Sequence, residues 1–469
     1  MALALGLVTL FLLGLLVTFG KGAFSAFVIS TVVLVAATFD AREIQWKRYL
    51  AIAAVMLACY LIVNAVSAGY LDTSMSNLSS IMGKHTAHNR LEMWKASFEL
   101  GKEYFWGGIG LGTFYFFYPP FRPQMDSSDG FFAHMDPLQF WIEMGIMAPI
   151  IFYGTLVAIL LRTIKALKVL PMGSDERVHI MAPFCGLLAV VGHTHITFNL
   201  YMPAIVIVMA CLLAYWYIAT ERVLLDADKR FAFNFKDKAH RHTGALAFIL
   251  VALICASWPM RVGWAIHYSK EAQRAASKKD QALSKVEMMG LFAPDSFSRY
   301  YEYRARIDLS HLINRDLSNM PVSQVRHHFD EAMRFLDEAE KRNPKFWNTP
   351  YLRARAYYAV DDVLIVDGKE MAIKLLKNNV DYNPLDLDSR MELAKIYQKE
   401  GNLKESFTVL KEGLSWPRPR GKKDLEFLVS LANMYKKLGS EKAYNQLMKE
   451  VKRRADQYGI KVRIKQPSS

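Results

Sequence analysis

The sequence predicts an all-α protein: a polytopic membrane helix bundle of about seven spans, followed by an exported α-helical repeat solenoid. Three observations carry that expectation. Residues 1–262 hold seven nearly charge-free apolar runs. Each approaches the ~20 residues that a helix needs to cross ~30 Å of hydrocarbon. Residues 263–469, by contrast, are charged and patterned as amphipathic helices. The chain averages of 52% hydrophobic and 22% charged residues therefore blend two unlike regions. An aromatic content of 13% excludes a disordered chain, and four cysteines are too few for a small disulfide scaffold.

The apolar runs are 2–19, 23–39, 49–68, 138–161, 179–197, 200–220 and 244–262. Positive charge orients them. Loop 40–48 carries Arg42, Lys47 and Arg48; loop 162–178 carries Arg162, Lys165, Lys168 and Arg177; loop 221–243 carries Arg222, Lys229, Arg230, Lys236, Lys238 and Arg241. These alternate with the Gly20-Lys21-Gly22 turn, the segment 69–137 and a short turn near Asn199, all poorer in Lys and Arg. Basic loops stay in the cytoplasm. The large loop 69–137 and the C-terminal region are thus expected outside, in the periplasm of a bacterial inner (cytoplasmic) membrane. Met1 runs straight into apolar sequence without a basic n-region, which reads against a cleaved signal peptide and for a start partway through a bundle. Cys59, Cys185, Cys211 and Cys255 all fall in apolar runs, as small hydrophobes. The net charge of +14 sits largely in the three topology-setting loops and on the exported region, so it is not a nucleic-acid signal. The expected domains are 1–262 (membrane part with outer loop 69–137), 263–324 (helical linker) and 325–469 (repeats).

The repeat reading rests on offsets. Asn343-Pro344 returns as Asn383-Pro384, and Leu393-Ala394, Tyr397 and Gly401 return as Leu431-Ala432, Tyr435 and Gly439. Segments Trp416–Arg420 and Asp361–Gly368 read as inserts that lengthen the period. Small residues (Ala356, Ala372, Ala394, Ser406, Ala432, Ala443) allow paired helices to approach closely. Over approximately 325–455 this pattern resembles tetratricopeptide repeats, helix–turn–helix units of ~34 residues. Such solenoids imply a protein partner on a concave face.

Loop 69–137 carries the candidate chemistry. It holds His85, His88, Arg90 and Trp94, then Gly108-Ile109-Gly110-Leu111-Gly112, an aromatic Tyr115–Phe121 stretch with two prolines, Arg122, and His134-Met135-Asp136-Pro137-Leu138-Gln139 with Glu143 beyond. No strand pattern precedes the glycines, so they read as a turn at the membrane face rather than a nucleotide loop. The aromatics read as interfacial anchors ahead of sugar-stacking platforms. His85 and His88 read as loop residues. His193 and His195 read as polar, pore-facing groups, because a third metal ligand is lacking.

Arg-x3-Trp, Gly-x-Gly-x-Gly, a Tyr-Pro-rich stretch and His-x-Asp-x-Leu-Gln with a later Glu resemble the conserved loop of the O-antigen ligase superfamily. That superfamily includes O-antigen polymerases and bacterial O-oligosaccharyltransferases, and the resemblance covers roughly residues 9–220. It implies a metal-independent inverting transferase without cofactors. Such an enzyme moves a glycan from an undecaprenyl-diphosphate carrier to an acceptor hydroxyl, on lipid A-core, a protein or another glycan. By resemblance, Arg90 falls on the diphosphate-holding arginine and His134 on the histidine that activates the acceptor. Lys21 stands where the family often has the arginine of Ser-Arg-Gly, and His134–Pro137 departs from His-Asn-Asp-Tyr at two positions. Lys21, Arg122, Trp94, Asp136 and Glu143 complete the expected substrate-binding set, with Asp136 or Glu143 orienting His134.

The residue chemistry agrees. A guanidinium can meet diphosphate oxygens bidentately, and a cation at the leaving group lowers the barrier. A histidine near neutrality can take a hydroxyl proton. Two further readings remain open. One is a non-enzymatic envelope polysaccharide assembly factor that recruits partners through its repeats. The other is a metal-dependent transferase using Asp126 and Asp129.

Overall fold

Helices account for the regular structure throughout. The computed structural model describes residues 2–18, 20–38, 46–67, 84–225, 238–275, 279–313, 316–418 and 420–460. Among these, the only pairing outside helices and turns is an isolated bridge between Asp361 and Ile365. The chain divides into two units, Met1–Ala232 and Phe233–Ser469.

The first unit begins with α1 (Ala2–Val17), α2 (Lys21–Thr38) and α3 (Trp46–Val66). Leu12 and Leu16 of α1 are buried against Cys59 and Val63 of α3. An amphipathic helix α4 (Lys84–Glu103) follows, then a single turn α5 (Phe114–Phe117) and α6 (Asp136–Met144). The bundle ends with α7 (Met147–Val169), α8 (Asp175–Thr194) and α9 (Pro203–Leu224). Helices α7 and α9 are long and apolar enough to cross a membrane, as is the stretch His242–Arg274 of the second unit. Their outward faces are apolar: Ile150, Ile151, Leu160 and Leu161 on α7, and Val206, Ile207 and Val208 on α9, are exposed. In water such surfaces would cost heavily, and in lipid they are at home. The protein is membrane-associated. Gly22–Thr38 and Ala53–Val66 are shorter apolar helices.

The structure moves one expected boundary. The apolar run 138–161 is not one helix, because Gly145 (φ +79°) breaks it between α6 and α7. A Cβ at Gly145 would stand 1.9 Å from the Trp106 carbonyl oxygen, so the chain turns there onto the 106–112 segment. Only α7 has spanning length, and α6 becomes part of the loop architecture.

Helices α2 and α8 pack antiparallel, with Gly22 against His193 at one end and Ala37 against Arg177 at the other. Arg177 Nε donates to Ala37 O (2.5 Å), and its Nη1 donates to Leu167 O (3.0 Å) and Leu170 O (2.9 Å). One guanidinium thus satisfies carbonyls at the C-terminal ends of α2 and α7, where the helix dipole favours a cation. Between α7 and α9, Trp216 Nε1 donates to Thr163 Oγ1 (2.9 Å) and Arg162 Nε donates to Thr220 Oγ1 (2.8 Å).

The second unit is a succession of helical hairpins: α10 (Lys238–Arg274) with α11 (Lys279–Phe292), α12 (Ser298–Leu312) with α13 (Val322–Arg342), α14 (Asn348–Ala359) with α15 (Gly368–Tyr382), α16 (Leu387–Lys399) with α17 (Leu403–Glu412), and α18 (Lys422–Lys437) with α19 (Glu441–Tyr458). The sequence offsets correspond to repeated geometry. Gly401 and Gly439 both take left-handed φ, +77° and +75°. After each, the next residue closes the same helix end, Asn402 N to Tyr397 O (2.8 Å) and Ser440 N to Tyr435 O (2.9 Å). This is the Schellman closure that glycine permits. Ala356, Ala372, Ala394, Ser406 and Ala432 are fully buried where helices meet; Ala443 is half-buried. The pairing extends upstream of 325, since α12 packs on α13 through Leu309, Ala332 and Leu336. Helix α10 changes character along its length. Leu246, Ile249, Leu250 and Ile254 are exposed, whereas Ala265 is buried and Trp264 and Tyr268 stack on Phe292 of α11.

Candidate active site

The segment between α4 and α6 is built around a buried carboxylate. Glu143, 1% exposed, receives four hydrogen bonds: Gly112 N–H (2.8 Å) and Tyr201 OH (2.7 Å) on Oε2, Phe114 N–H (3.3 Å) and Gln139 Nε2 (3.2 Å) on Oε1. A buried carboxylate is tolerated only with such a full donor set. The glycines explain how the chain reaches it. Gly108, Gly110 and Gly112 all have positive φ, and the turn they make places Ile109 N–H on Ile142 O (2.9 Å) and Gly110 N–H on Glu143 O (2.9 Å). The Gly-x-Gly-x-Gly run is therefore a clasp on the C-terminal carbonyls of α6.

The same core positions His134. Gln139 Oε1 accepts from Ala133 N–H (2.9 Å), and Trp94 Nε1 of α4 donates to Ala133 O (3.0 Å). With its neighbour held from both sides, His134 adopts φ +53°, a left-handed backbone for a non-glycine residue. That conformation costs on the order of 1 kcal/mol and persists where the surroundings impose it. The half-buried imidazole meets Phe198 edge-on (centroids 5.1 Å), and Phe132 stacks flat on the same ring (4.2 Å). Burial and, after it, the Arg90 charge push the His134 pKa below 6.5, against the opposing pull of Asp129 and Asp126.

Arg90, half-buried on α4, is in no hydrogen bond or salt bridge among the described residues. Its charge reaches both His134 and His193. His193 Nδ1 accepts from Asn199 Nδ2 (3.0 Å), which leaves the proton of the neutral ring on Nε2. This ring packs on Gly22, one residue into α2 from Lys21. The His193 ring thus lies at the N-terminal end of α2, and the Arg90 charge acts on it as on His134. Helix α2 begins at Lys21, whose side chain lies outside the described residues, as do those of His85 and His88.

The remaining expected residues have other partners. Asp136 is fully buried at the start of α6; its Oδ2 accepts from Leu200 N–H (2.9 Å), and Oδ1 has no partner among the described residues. Burial raises its pKa to about 7. Among the described residues, Asp136 and Glu143 bond to these groups and not to His134. Arg122 is buried, ion-paired through Nε with Asp126 Oδ2 (3.0 Å) and hydrogen-bonded through Nη2 to Ser128 O. Asp126 also accepts from Tyr118 OH (3.0 Å) and Ser128 N–H (2.8 Å), so it braces the loop. His195 is engaged by Tyr153 OH (2.9 Å) and Val191 O (2.8 Å), away from His193. Sequence reasoning gave no role to Gln139, Phe198, Asn199 or Tyr201. The last three lie in the α8–α9 connection, whose only sequence signal is a short turn between two apolar runs.

Residues 6–153 match the O-antigen ligase family (Wzy_C), about a third of the chain. No curated protein matches. Among solved structures, the crystal structure of MamA protein is similar at 12% identity, covering 42% of this chain and 94% of that one, with a TM-score of 0.26. A MamA AMB-1 structure is similar at 15% identity over 41% of this chain and 91% of its own, with a TM-score of 0.25.

Proposed function

We propose that the protein is a membrane glycan transferase of the O-antigen ligase type. It moves a glycan from an undecaprenyl-diphosphate carrier to an acceptor hydroxyl on the periplasmic face. The observation that carries this reading is the match of residues 6–153 to the O-antigen ligase family, a stretch that holds Arg90, Trp94 and His134. The Arg90 charge acting on both His134 and His193 accords with it.

In this reading Arg90, with Lys21 and the His193 Nε2–H, meets the diphosphate of the donor. His134 is neutral at pH 7 because its pKa lies below 6.5. It accepts the proton of the acceptor hydroxyl as that oxygen bonds to the anomeric carbon. The bond from that carbon to the phosphate oxygen breaks on the opposite side, which inverts the centre, and undecaprenyl diphosphate leaves with the electron pair. Charge grows on the diphosphate in the transition state, so a cation already in place there is worth most. Trp94, Gln139 and Glu143 hold the His134 loop, and Arg122 with Asp126 braces it.

The test is transfer in vitro from a defined undecaprenyl-linked glycan to lipid A-core, protein and glycan acceptors. His134→Ala and Arg90→Ala should each abolish transfer at unchanged membrane levels. Full activity in both variants would remove the site assignment. The acceptor that is glycosylated separates ligase, polymerase and protein oligosaccharyltransferase. The repeats, read as tetratricopeptide-like, supply a protein-docking surface.

A further inference from the structure

The helical hairpins enclose a groove that the transfer chemistry does not use. A cavity of about 730 Å³ is lined by Gln273, Arg299, Tyr303, Arg306, Phe346 and Tyr351. A second, of about 630 Å³, shares Tyr351 and Asp388 with it, so the two are contiguous along α14, α16 and α18. Their charges differ. In the second stretch the cations are neutralised by their own neighbours, Lys395 by Glu392 (3.1 Å) and Lys422 by Glu426 (3.2 Å). Lys423, which lines the first stretch, pairs with the Asp388 that both stretches share.

In the first stretch Arg299 and Arg306 are exposed and in no salt bridge among the described residues. Arg299 lies over the Phe346 ring (6.0 Å), and Arg306 Nη2 donates to Asn348 Oδ1 (2.9 Å). The carboxylate between them in sequence, Glu302, is withdrawn to 3% exposure and occupied by Asn348 Nδ2 (2.5 Å) and Thr349 Oγ1 (3.0 Å). Burial raises its pKa, which weakens its answer to the two guanidiniums. Seven residues on a helix place Arg299 and Arg306 on one face, ~10.5 Å apart. Carboxylates three residues apart in an extended polyproline II segment share one face and are separated by ~9 Å. Tyr303, Phe346 and Tyr351 add apolar surface between and beside them.

We propose that this groove docks an extended acidic protein segment, with Arg299 and Arg306 each meeting one of two carboxylates spaced three residues apart. A polyanionic glycan would need cations continuing along the groove. Here the uncompensated positive charge is confined to one end.

The test uses the full-length protein in nanodiscs. Three labelled probes are compared by fluorescence anisotropy: a dodecapeptide library fixed at a central Glu-x-x-Glu, its Gln-x-x-Gln counterpart, and polygalacturonate. The Glu library should bind about tenfold more tightly than the Gln library and weaken with added salt. The double variant Arg299→Glu/Arg306→Glu should lose that preference, whereas Lys395→Glu in the neutralised stretch should keep it. Should the double variant melt early by circular dichroism, Arg306→Gln alone should still reduce the preference severalfold. Equal binding of both libraries, a preference indifferent to the arginines, or arginine-dependent binding of polygalacturonate alone would each overturn the proposal. Glycan transfer by the double variant should be unchanged, which keeps this outcome separate from that of the active-site variants.

Discussion

A β-carbon on Gly22 would stand 3.0 Å from His193 Cδ2 and 2.5 Å from Ile196 Cδ1. A side chain there therefore requires the Ile196 methyl to swing aside and the His193 ring to give by a few tenths of an ångström. Gly22→Ala is expected to push His193 away from its Asn199 bond and to cut transfer about tenfold, with the protein still inserted in the membrane. Asn199→Ala should act in the same direction. Wild-type turnover in Gly22→Ala would detach this end of α2 from the reaction.

The His134 pKa is lowered chiefly by burial and next by Arg90, and Asp129 opposes the shift. The neutral ring is the working form, so activity should be level near pH 7 and fall on the acid side, with its midpoint below 6.5. Removing an anion that stabilises the imidazolium lowers the pKa further. Asp129→Asn should thus move the acid limb of the kcat/KM profile to still lower pH. An unmoved limb would mean that another group titrates.

Asp136 offers a stability experiment. Its folded pKa, about 7, lies above the ordinary carboxylate value of 3.8. The folded state then binds more protons than the unfolded state between those values. Its stabilising contribution is present at low pH and lost as pH rises through 7. Asp136→Asn keeps the oxygen that accepts Leu200 N–H and removes the charge. Between pH 5 and pH 8 it should gain on the order of 2 kcal/mol relative to wild type, read from thermal unfolding at both values. A constant difference across that range would contradict the assignment.

The glycine clasp predicts a hierarchy. Gly108 and Gly145 have positive φ, and a Cβ on either would strike backbone, at 2.4 Å from Glu143 C and 1.9 Å from Trp106 O. Gly112 also has positive φ, but a Cβ there meets nothing within 4 Å. Gly112→Ala should cost only the dihedral strain, ~1 kcal/mol, whereas Gly145→Ala and Gly108→Ala should cost several times that. Thermal melts of the three purified variants rank them directly.

Much of the architecture was legible because it follows local rules. Apolar runs marked α7, α9 and the first part of α10, and the offset of 38 residues marked Gly401 and Gly439, which share one left-handed turn. The division at Gly145 was not legible, since glycine inside an apolar run reads equally as helix or break. The candidate site was legible only in its local part. Arg90, Trp94 and His134 stand in one loop, and the motif that joins them is local. The docking of that loop on the α8–α9 connection brings Phe198 to His134 and Tyr201 to Glu143 across about 60 residues, and no spacing rule encodes such a contact. Arg122 shows the same limit of spacing rules: the buried Asp126 holds it, a pairing that four residues of loop sequence do not announce.

The uninterrupted course of α10 has a geometric consequence of its own. Over 37 residues its axis runs ~55 Å, past Pro259 inside it, apolar at one end and clamped to α11 through Trp264 and Tyr268 at the other. Along such a helix, residue number is an angle. One residue added after Val262 would turn everything downstream by ~100°, while seven would restore the bearing to within ~20° and extend the helix by ~10 Å. The compass direction in which the Arg299–Arg306 groove opens, relative to the apolar end of this helix, is thus set by a count of residues rather than by any single contact.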